Sequence, residues 1–298
     1  MRIAAAAYNM DFLDNWQAYE DKLTRWVSDA AGQGAELLVF PEYGAMELAT
    51  LAGREAAADL EASLHAVSDR MADAAALHAT LAARHKLHIL AASAPVFDEG
   101  SRPVNRAMLF GPGGLIGHQD KQIMTRFEAE TWDVVPGGPL RAFRIGDITL
   151  GILICFDAEF PALARALIEA GVDILAVPSC TDTLAGYWRV RVGAMARALE
   201  GQCVVIHAPT VLPCAWSPAV DENEGAAAIY GPPDLGFPET GIIALGPHNA
   251  PGWTLADIDP AAIARVRKGG AVFNHARWPD SDARAKSGVE IVQTANTA

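Results

Sequence analysis

The sequence predicts an α/β fold with a mixed sheet or sheets, and three observations support this. Short apolar runs alternate with longer amphipathic segments along almost the whole chain, which is typical of strands alternating with helices. Two pairs of apolar runs flank glycine-containing turns at 111–114 and 146–147, and such pairs form antiparallel hairpins. Half of the 298 residues are hydrophobic (51%), enough to bury a large core.

The first half of the chain contains five apolar runs of strand length. They are residues 2–7, 36–40, 87–92, 107–110 and 115–119. Residues 16–31 carry apolar side chains at helical spacing, which predicts a helix. A second helix is predicted to begin at Ser68, a residue type that caps helices, and to run to His85.

The second half repeats the alternation, with two helices predicted at 161–170 and 187–200 and a third opened by Asp259-Pro260. The predicted strands are 143–145, 148–154, 174–177, 204–207, 226–230, 241–245 and 253–258. The stretch 209–238 is rich in proline and glycine and long for a connection. Because long loops in compact domains are often functional, we expect it to form the wall or lid of a pocket.

Composition excludes several classes of function. The chain has 23 Lys+Arg against 36 Asp+Glu, a formal charge of −13, whereas a nucleic-acid binder normally presents a basic face. No apolar run reaches the length of a membrane span or of a signal peptide core. The four cysteines form no CxxC pair, so neither a disulfide framework nor a zinc site is indicated. We therefore expect a cytoplasmic protein without nucleic-acid or membrane partners.

Three residues stand directly after predicted strands, where α/β proteins build their sites. Cys155 follows the apolar run 148–154, Glu42 follows 36–40 and Pro41, and Lys121 follows 115–119. Taken singly, each has an ordinary explanation: a buried packing cysteine, a loop glutamate and a surface lysine. Their meaning depends on their combination.

The order Phe40-Pro41-Glu42, then Lys121, then the block 154–161 (Ile-Cys-Phe-Asp-Ala-Glu-Phe-Pro) resembles the nitrilase superfamily of carbon–nitrogen hydrolases. The resemblance extends over 174–179 and 189–202, where Gly201 stands at a position that the family gives to Asn. It covers essentially the whole chain.

The resemblance implies the chemistry of the site. Cys155 would be the nucleophile, Glu42 its general base and acid, and Lys121 with the backbone N–H of Phe156 would hold the oxyanion. The family also uses a second glutamate, here Glu128 with Glu130 as the rival, to orient the lysine or to bind the substrate amide. No metal or organic cofactor is implied.

The residues after the cysteine favour an amidase. Family members that cleave nitriles have Trp-Glu there, whereas this chain has Phe156-Asp157. Carbamoyl-amino-acid hydrolases place arginines just beyond; Ala158 and Glu159 stand there, and the general family pattern also has Arg in place of Glu159. We expect a small linear amide, neutral or amine-bearing, as substrate. Glu130, Glu159 and Asp182 are the candidates for binding it.

The resemblance also implies a four-layer α-β-β-α sandwich with two mixed sheets. The hydrolase domain is expected to span 1–278, followed by a tail at 279–298 that is either flexible or at an oligomer interface. Family members pair through helices near the nucleophile, so a homodimer or higher homo-oligomer is expected. An N-carbamoyl-amine hydrolase, a nitrilase and a catalytically silent binding or scaffold protein remain alternatives.

Overall fold

A computed structural model describes residues 1–98 and 102–292. The chain forms thirteen strands within these ranges: β1 Arg2–Ala7, β2 Leu37–Val39, β3 His88–Leu90, β4 Ala94–Val96, β5 Val104–Gly111, β6 Gly114–Asp120, β7 Ala142–Ile145, β8 Ile148–Ile152, β9 Ile174–Ser179, β10 Val204–Pro209, β11 Ala228–Tyr230, β12 Ile242–Leu245 and β13 Gly252–Asp257. The α-helices are α1 Trp16–Gly32, α2 Arg54–Ala57, α3 Leu60–Ser68, α4 Met71–His85, α5 Pro161–Glu169, α6 Leu184–Gly201, α7 Pro260–Gly269 and α8 Trp278–Lys286.

The strands form two mixed sheets, as expected. The first has the order β13-β1-β2-β3-β5-β4, with β6 also paired to β5, and only β1, β2 and β3 run parallel to one another. The second has the order β12-β11-β10-β9-β8-β7, and its three central strands are parallel. Both predicted hairpins, β5–β6 and β7–β8, are confirmed.

Alternation along the strands explains how the sheets stack. In β1, Ile3 and Ala5 belong to the core shared with the second sheet, whereas Ala4 and Ala6 face the helices on the outside. Successive side chains of a strand point to opposite faces, so one buried strand serves two cores. Helices α1, α3 and α4 cover the first sheet and α5 and α6 the second. The four-layer sandwich is therefore confirmed.

The region before β3 differs from the prediction. Ser68 does not begin the helix that ends at His85; it is the last residue of α3, and its Oγ accepts a hydrogen bond from Phe97 N at 3.0 Å. The helix that ends at His85 begins at Met71, and its N-cap residue Arg70 makes no side-chain cap hydrogen bond. Asp59 caps the preceding helix α3, where its side chain accepts from the backbone N–H groups of Glu61 and Ala62.

The predicted tail begins inside α8. Arg165 on α5 pairs with Asp282 and lies over the Trp278 ring at 5.0 Å, so this helix contacts the domain. Val289 is 92% exposed, and residues 293–298 lie outside the described part of the chain. None of the helices in 1–98 and 102–292 is both long and apolar enough to span a membrane.

Helix α6 packs closely on the turn that follows β8, and Gly193 makes this approach possible. A Cβ atom at position 193 would lie 2.9 Å from the carbonyl oxygen of Ala158, which is closer than real Cβ contacts come. Arg197, one turn further on, donates to the same carbonyl at 3.1 Å. The helix is thereby fixed against residues 155–159.

We predict that Gly193→Ala lowers the free energy of unfolding by about 1–3 kcal/mol, because the added methyl group overpacks a rigid contact. Urea denaturation measures it. Gly32→Ala at the end of α1 is the matched control, since no heavy atom lies within 4 Å of its Cβ, and it should leave stability unchanged or raise it slightly. Equal stability of the two variants would contradict the close approach.

Candidate active site

Cys155 stands on a sharp turn just beyond β8. The strand ends at Ile152, and residues Cys155–Glu159 form a 3₁₀ turn. Cys155 has φ of +50°, a conformation that costs energy for any residue other than glycine. Its side chain is buried, and Sγ lies 3.7 Å from the carbonyl oxygen of Cys180, which follows β9. A strained turn thus presents the thiol at the end of the second sheet.

Glu42 lies at the corresponding end of the first sheet, beyond β2. It is 1% exposed and is followed by Tyr43, whose φ of +53° turns the chain. Its Oε2 accepts from the backbone N–H of Cys180 at 2.9 Å. Its Oε1 accepts from Asn105 Nδ2 at 3.0 Å and Lys121 Nζ at 2.7 Å.

Lys121 and Glu128 complete the buried group. Lys121 is 1% exposed, and its Nζ lies 2.6 Å from Glu128 Oε2 in addition to its contact with Glu42. Glu128 opens a π-helical turn, Glu128–Trp132, and also accepts from Thr125 N, Thr125 Oγ1 and Tyr43 OH. Glu130 points elsewhere: it is 61% exposed and pairs with Arg126 at 2.7 Å. The structure therefore places Glu128, and not Glu130, against the lysine.

Burial has the largest single effect on the pKa of each of these groups, and the charged neighbours oppose or reinforce that effect. Burial raises the pKa of Glu42 to about 7, with Lys121 opposing and Glu128 reinforcing the shift. For Glu128, burial is outweighed by Lys121 and Thr125, which hold its pKa below the ordinary value. Burial would lower the pKa of Lys121, but the two carboxylates hold it well above the usual range. One carboxyl group can therefore exchange a proton near neutrality while the other stays ionised.

The Cys155 thiol is protonated at rest although Lys121 lies nearby. Burial, and after it the Glu42 carboxylate, raise the pKa of Cys155 well above its ordinary value, and Lys121 opposes this only in part. Glu42 is the neighbouring carboxylate that could receive this proton.

Asp157 ties together the two loops that carry Lys121 and Cys155. Its buried carboxylate accepts from the backbone N–H groups of Gln122, Ile123 and Ile154 at 2.8 to 3.2 Å. Burial raises its pKa to about 6 against these hydrogen bonds. The backbone N–H of Phe156, the expected oxyanion donor, has no acceptor within residues 1–98 and 102–292.

The buried group lies at the base of a cavity of about 630 Å³. The predicted binding residues Glu130, Glu159 and Asp182 line it, as do Asp221 and Glu222. The last two belong to the stretch 209–238, which therefore forms a wall of the cavity. Glu159 pairs with Arg189 of α6 at 3.5 Å. In the described ranges no cluster of three or more His, Cys, Asp or Glu side chains suited to a metal ion occurs.

Sequence reasoning overlooked Asn105, Tyr43 and Asp157 as parts of the site. A signal for Asn105 was present, because it shares the period of Ala107 and Leu109, the buried face of β5. No local pattern announces Tyr43 or Asp157, whose partners are 85 and about 35 residues away in sequence.

Known proteins similar to this chain point to one family. The family model described as carbon–nitrogen hydrolase matches residues 2–268. The probable hydrolase YhcX of Bacillus subtilis (strain 168) is 28% identical over 272 residues, covering 91% of this chain and 52% of its own, so the chain spans about half of that relative's length. The deaminated glutathione amidase of Synechocystis sp. (strain PCC 6803 / GT-S) is 28% identical over 280 residues, covering 89% of this chain and 94% of its own.

Solved structures show the same fold. Saccharomyces cerevisiae Nit3, a member of branch 10 of the nitrilase superfamily, superposes with a TM-score of 0.72 at 19% identity, covering 93% of this chain and 97% of its own. A double mutant of the amidase from Nesterenkonia sp. AN1, in complex with acrylamide, superposes with a TM-score of 0.67 at 19% identity, covering 96% and 97%. The family match over nearly all of the chain shows that this protein belongs to the carbon–nitrogen hydrolase family.

Proposed function

We propose that this carbon–nitrogen hydrolase is an amidase that cleaves the non-peptide C–N bond of a small linear amide through a thioester on Cys155. The observation that carries the proposal is the burial of Glu42, Lys121 and Glu128 as one hydrogen-bonded group beside the Cys155 thiol, at the base of a cavity. A thiol, a base that titrates near pH 7 and fixed donors are what acyl transfer from an amide requires.

The first half of the reaction forms the thioester. Glu42 takes the proton of Cys155 as the sulfur attacks the amide carbonyl carbon. The oxygen of the tetrahedral intermediate takes up negative charge, which Lys121 Nζ and the N–H of Phe156 stabilise. When the C–N bond breaks, the proton held by Glu42 passes to the departing nitrogen, and ammonia or an amine leaves.

The second half returns the enzyme. Glu42, again a carboxylate, removes a proton from a water molecule whose oxygen attacks the thioester carbon. Collapse of this second intermediate breaks the C–S bond, gives the proton back to the sulfur and releases the carboxylic acid. Glu128 keeps Lys121 in place during both halves, because its two oxygens are already occupied by protein donors.

Ammonia release and mass spectrometry test this function. We predict that Glu42→Gln reduces kcat by about 10²–10⁴-fold through loss of the base, and that Cys155→Ser abolishes the acyl adduct found on the cysteine after an acid quench. Cys203→Ser is the matched control. Cys203 lies between α6 and β10, is fully buried and does not line the cavity, so this variant should keep its activity.

The substrate panel should contain neutral, cationic and anionic amides, an N-carbamoyl amine, a nitrile and deaminated glutathione. Turnover of the nitrile alone would contradict the amidase assignment, and turnover of the N-carbamoyl amine alone would favour that alternative. A silent scaffold protein would release no ammonia and would show no selective alkylation of Cys155 by iodoacetamide.

The charges of the cavity favour a neutral or amine-bearing amide. Both exposed cations of the lining, Arg126 and Arg189, already pair with Glu130 and Glu159. Asp182, Asp221 and Glu222 make no salt bridge with any residue in the described ranges. The unpaired acids leave the cavity with a negative field that attracts a cationic group.

We predict that the triple variant Asp182→Asn, Asp221→Asn, Glu222→Gln raises KM for an amine-bearing amide roughly threefold or more, from the sum of three partly exposed charge interactions. KM for a neutral amide should not change, and kcat should stay the same for both. Steady-state kinetics at low salt measure this, with Asp21→Asn on the exposed face of α1 as control. A preference of the wild type for dicarboxylate monoamides would contradict the proposed preference for amine-bearing amides.

We further propose that the chain pairs with a second copy through α6. The large apolar side chains exposed on this helix are Leu184, Trp188, Val192 and Leu199. The first three recur every four residues and so share one face, and apolar faces of this kind favour association.

We predict a dimer in sedimentation velocity that Val192→Asp converts to a monomer. Leu115→Asp, at an equally exposed position near the start of β6, should leave the dimer intact. A wild-type monomer at all concentrations would overturn this proposal.

The expected cytoplasmic location is consistent with the state of the cysteines. All four, Cys155, Cys180, Cys203 and Cys214, are free thiols in the structure, as is usual in a reducing compartment. We propose neither nucleic-acid nor membrane partners, given the net charge of −13.

A further inference from the structure

Asn105 occupies an unusual place at the centre of the buried group. It lies on β5, is fully buried, and its Nδ2 donates to Glu42 Oε1 at 3.0 Å and to Glu128 Oε1 at 3.5 Å. The two hydrogens of one amide nitrogen diverge, so a single group can serve two acceptors. The backbone carbonyl of the same residue accepts from Lys121 N at 2.9 Å. One residue therefore contacts both carboxylates and the backbone of Lys121.

The orientation of this amide is fixed by its neighbours. Turning the side chain over would direct its carbonyl oxygen at two carboxylates, which repel it. The price of the observed orientation is that Asn105 Oδ1 is buried without a hydrogen-bond partner among the described residues. Buried acceptors are nearly always paired, and an unpaired one destabilises the fold. Such violations of local rules concentrate at functional sites.

We propose that Asn105 is a positioning residue that supplies one N–H to each glutamate and so keeps Glu42 oriented and able to accept the proton of Cys155. This inference rests on the proposed role of Glu42 as base. A neutral donor is required here for a physical reason. Lys121 provides the one positive charge, and a second cation would hold Glu42 permanently ionised, whereas a third carboxylate would favour its protonated form.

The inference concerns the proton affinity of Glu42, so every group that faces this carboxyl matters. Lys121, beyond β6, lowers its pKa, and Glu128, on the π-helical turn, raises it. The other titratable groups around it are Tyr43, Cys155 and Cys180. Asn105 is a non-titrating donor within this set, and its hydrogen bond favours the ionised carboxylate.

Alkylation of Cys155 by iodoacetamide tests the proposal without any substrate. The rate, followed by mass spectrometry of the Cys155 peptide in the full chain, should rise with pH through about 7 in the wild type, as Glu42 loses its proton. Asn105→Leu keeps the branched shape but removes both donors, which should move the midpoint up by about one pH unit and slow alkylation about tenfold at pH 6. Asn105→Asp is nearly identical in shape. It should also move the midpoint upward, because a third carboxylate favours the protonated form of Glu42.

Gln119→Leu is the matched control, since Gln119 is a fully buried amide on the neighbouring strand β6 that does not contact the glutamates. It should lower the melting temperature and leave the midpoint at its wild-type value. If the Asn105 variants fold and also keep the wild-type midpoint, the residue only fills space and the proposal is wrong. If Asn105→Leu does not melt cooperatively, Asn105→Asp decides; if neither folds, Asn105 is a structural residue and the proposal fails.

The same measurement separates this inference from the proposed function. A wild-type midpoint near pH 7 that Glu42→Gln abolishes establishes the proton transfer, whether or not any amide is hydrolysed. A wild-type profile without that midpoint contradicts the proposed role of Glu42 itself. Unchanged profiles in the Asn105 variants contradict only the positioning role.

Discussion

Lys121 carries a positive charge on a side chain that is almost completely buried. Its side chain is 1% exposed, and its ammonium group lies 2.7 Å from Glu42 and 2.6 Å from Glu128. Isolated buried charges are very costly, and such a group persists only when its partners are held in place. Removing one partner from a buried ion pair typically costs about 3–5 kcal/mol. The three residues lie in separate segments, so the ends of β2 and β6 must meet for the fold to form.

The two glutamates differ in how completely the protein satisfies them. Within the described chain Glu128 accepts hydrogen bonds from Lys121, Asn105, Tyr43 and both the N–H and the hydroxyl of Thr125. Glu42 accepts from Lys121, Asn105 and the backbone N–H of Cys180. Glu128, which has more hydrogen-bond donors, stays ionised and holds the lysine in place, whereas the pKa of Glu42 lies close to neutral pH. A division of labour between two identical side chains thus follows from the number of donors around each.

Sequence patterns predicted the α/β class with mixed pairing, both hairpins and the three strand ends that carry Glu42, Lys121 and Cys155, because strand periodicity and glycine turns are local signals. The four-layer arrangement was implied by the family resemblance. The region Gly44–Ser68 was not predicted as helical, and Ser68 was misplaced, since one capping residue looks like another until packing selects it. The contacts of Asn105, Tyr43 and Asp157 join residues far apart in sequence, so no window of the chain contains them. Glu130 is exposed and pairs with Arg126, four residues earlier. This i,i+4 spacing of opposite charges is a local sequence pattern that indicates a surface ion pair.

The ion pair between Glu159 and Arg189 bears on what the cavity accepts. The family resemblance places an arginine where Glu159 stands, and here the arginine lies instead on the facing helix α6, 3.5 Å away. The positive end of this pair lies on the outer, exposed side: Arg189 is 62% exposed and Glu159 only 21%. A substrate carboxylate deep in the cavity would therefore lie closer to the acidic end of the pair. Arg126 is likewise occupied by Glu130. Lys121, the remaining cation that lines the cavity, already holds two glutamates. An anionic substrate would have to displace an existing ion pair, whereas a neutral or cationic one would not.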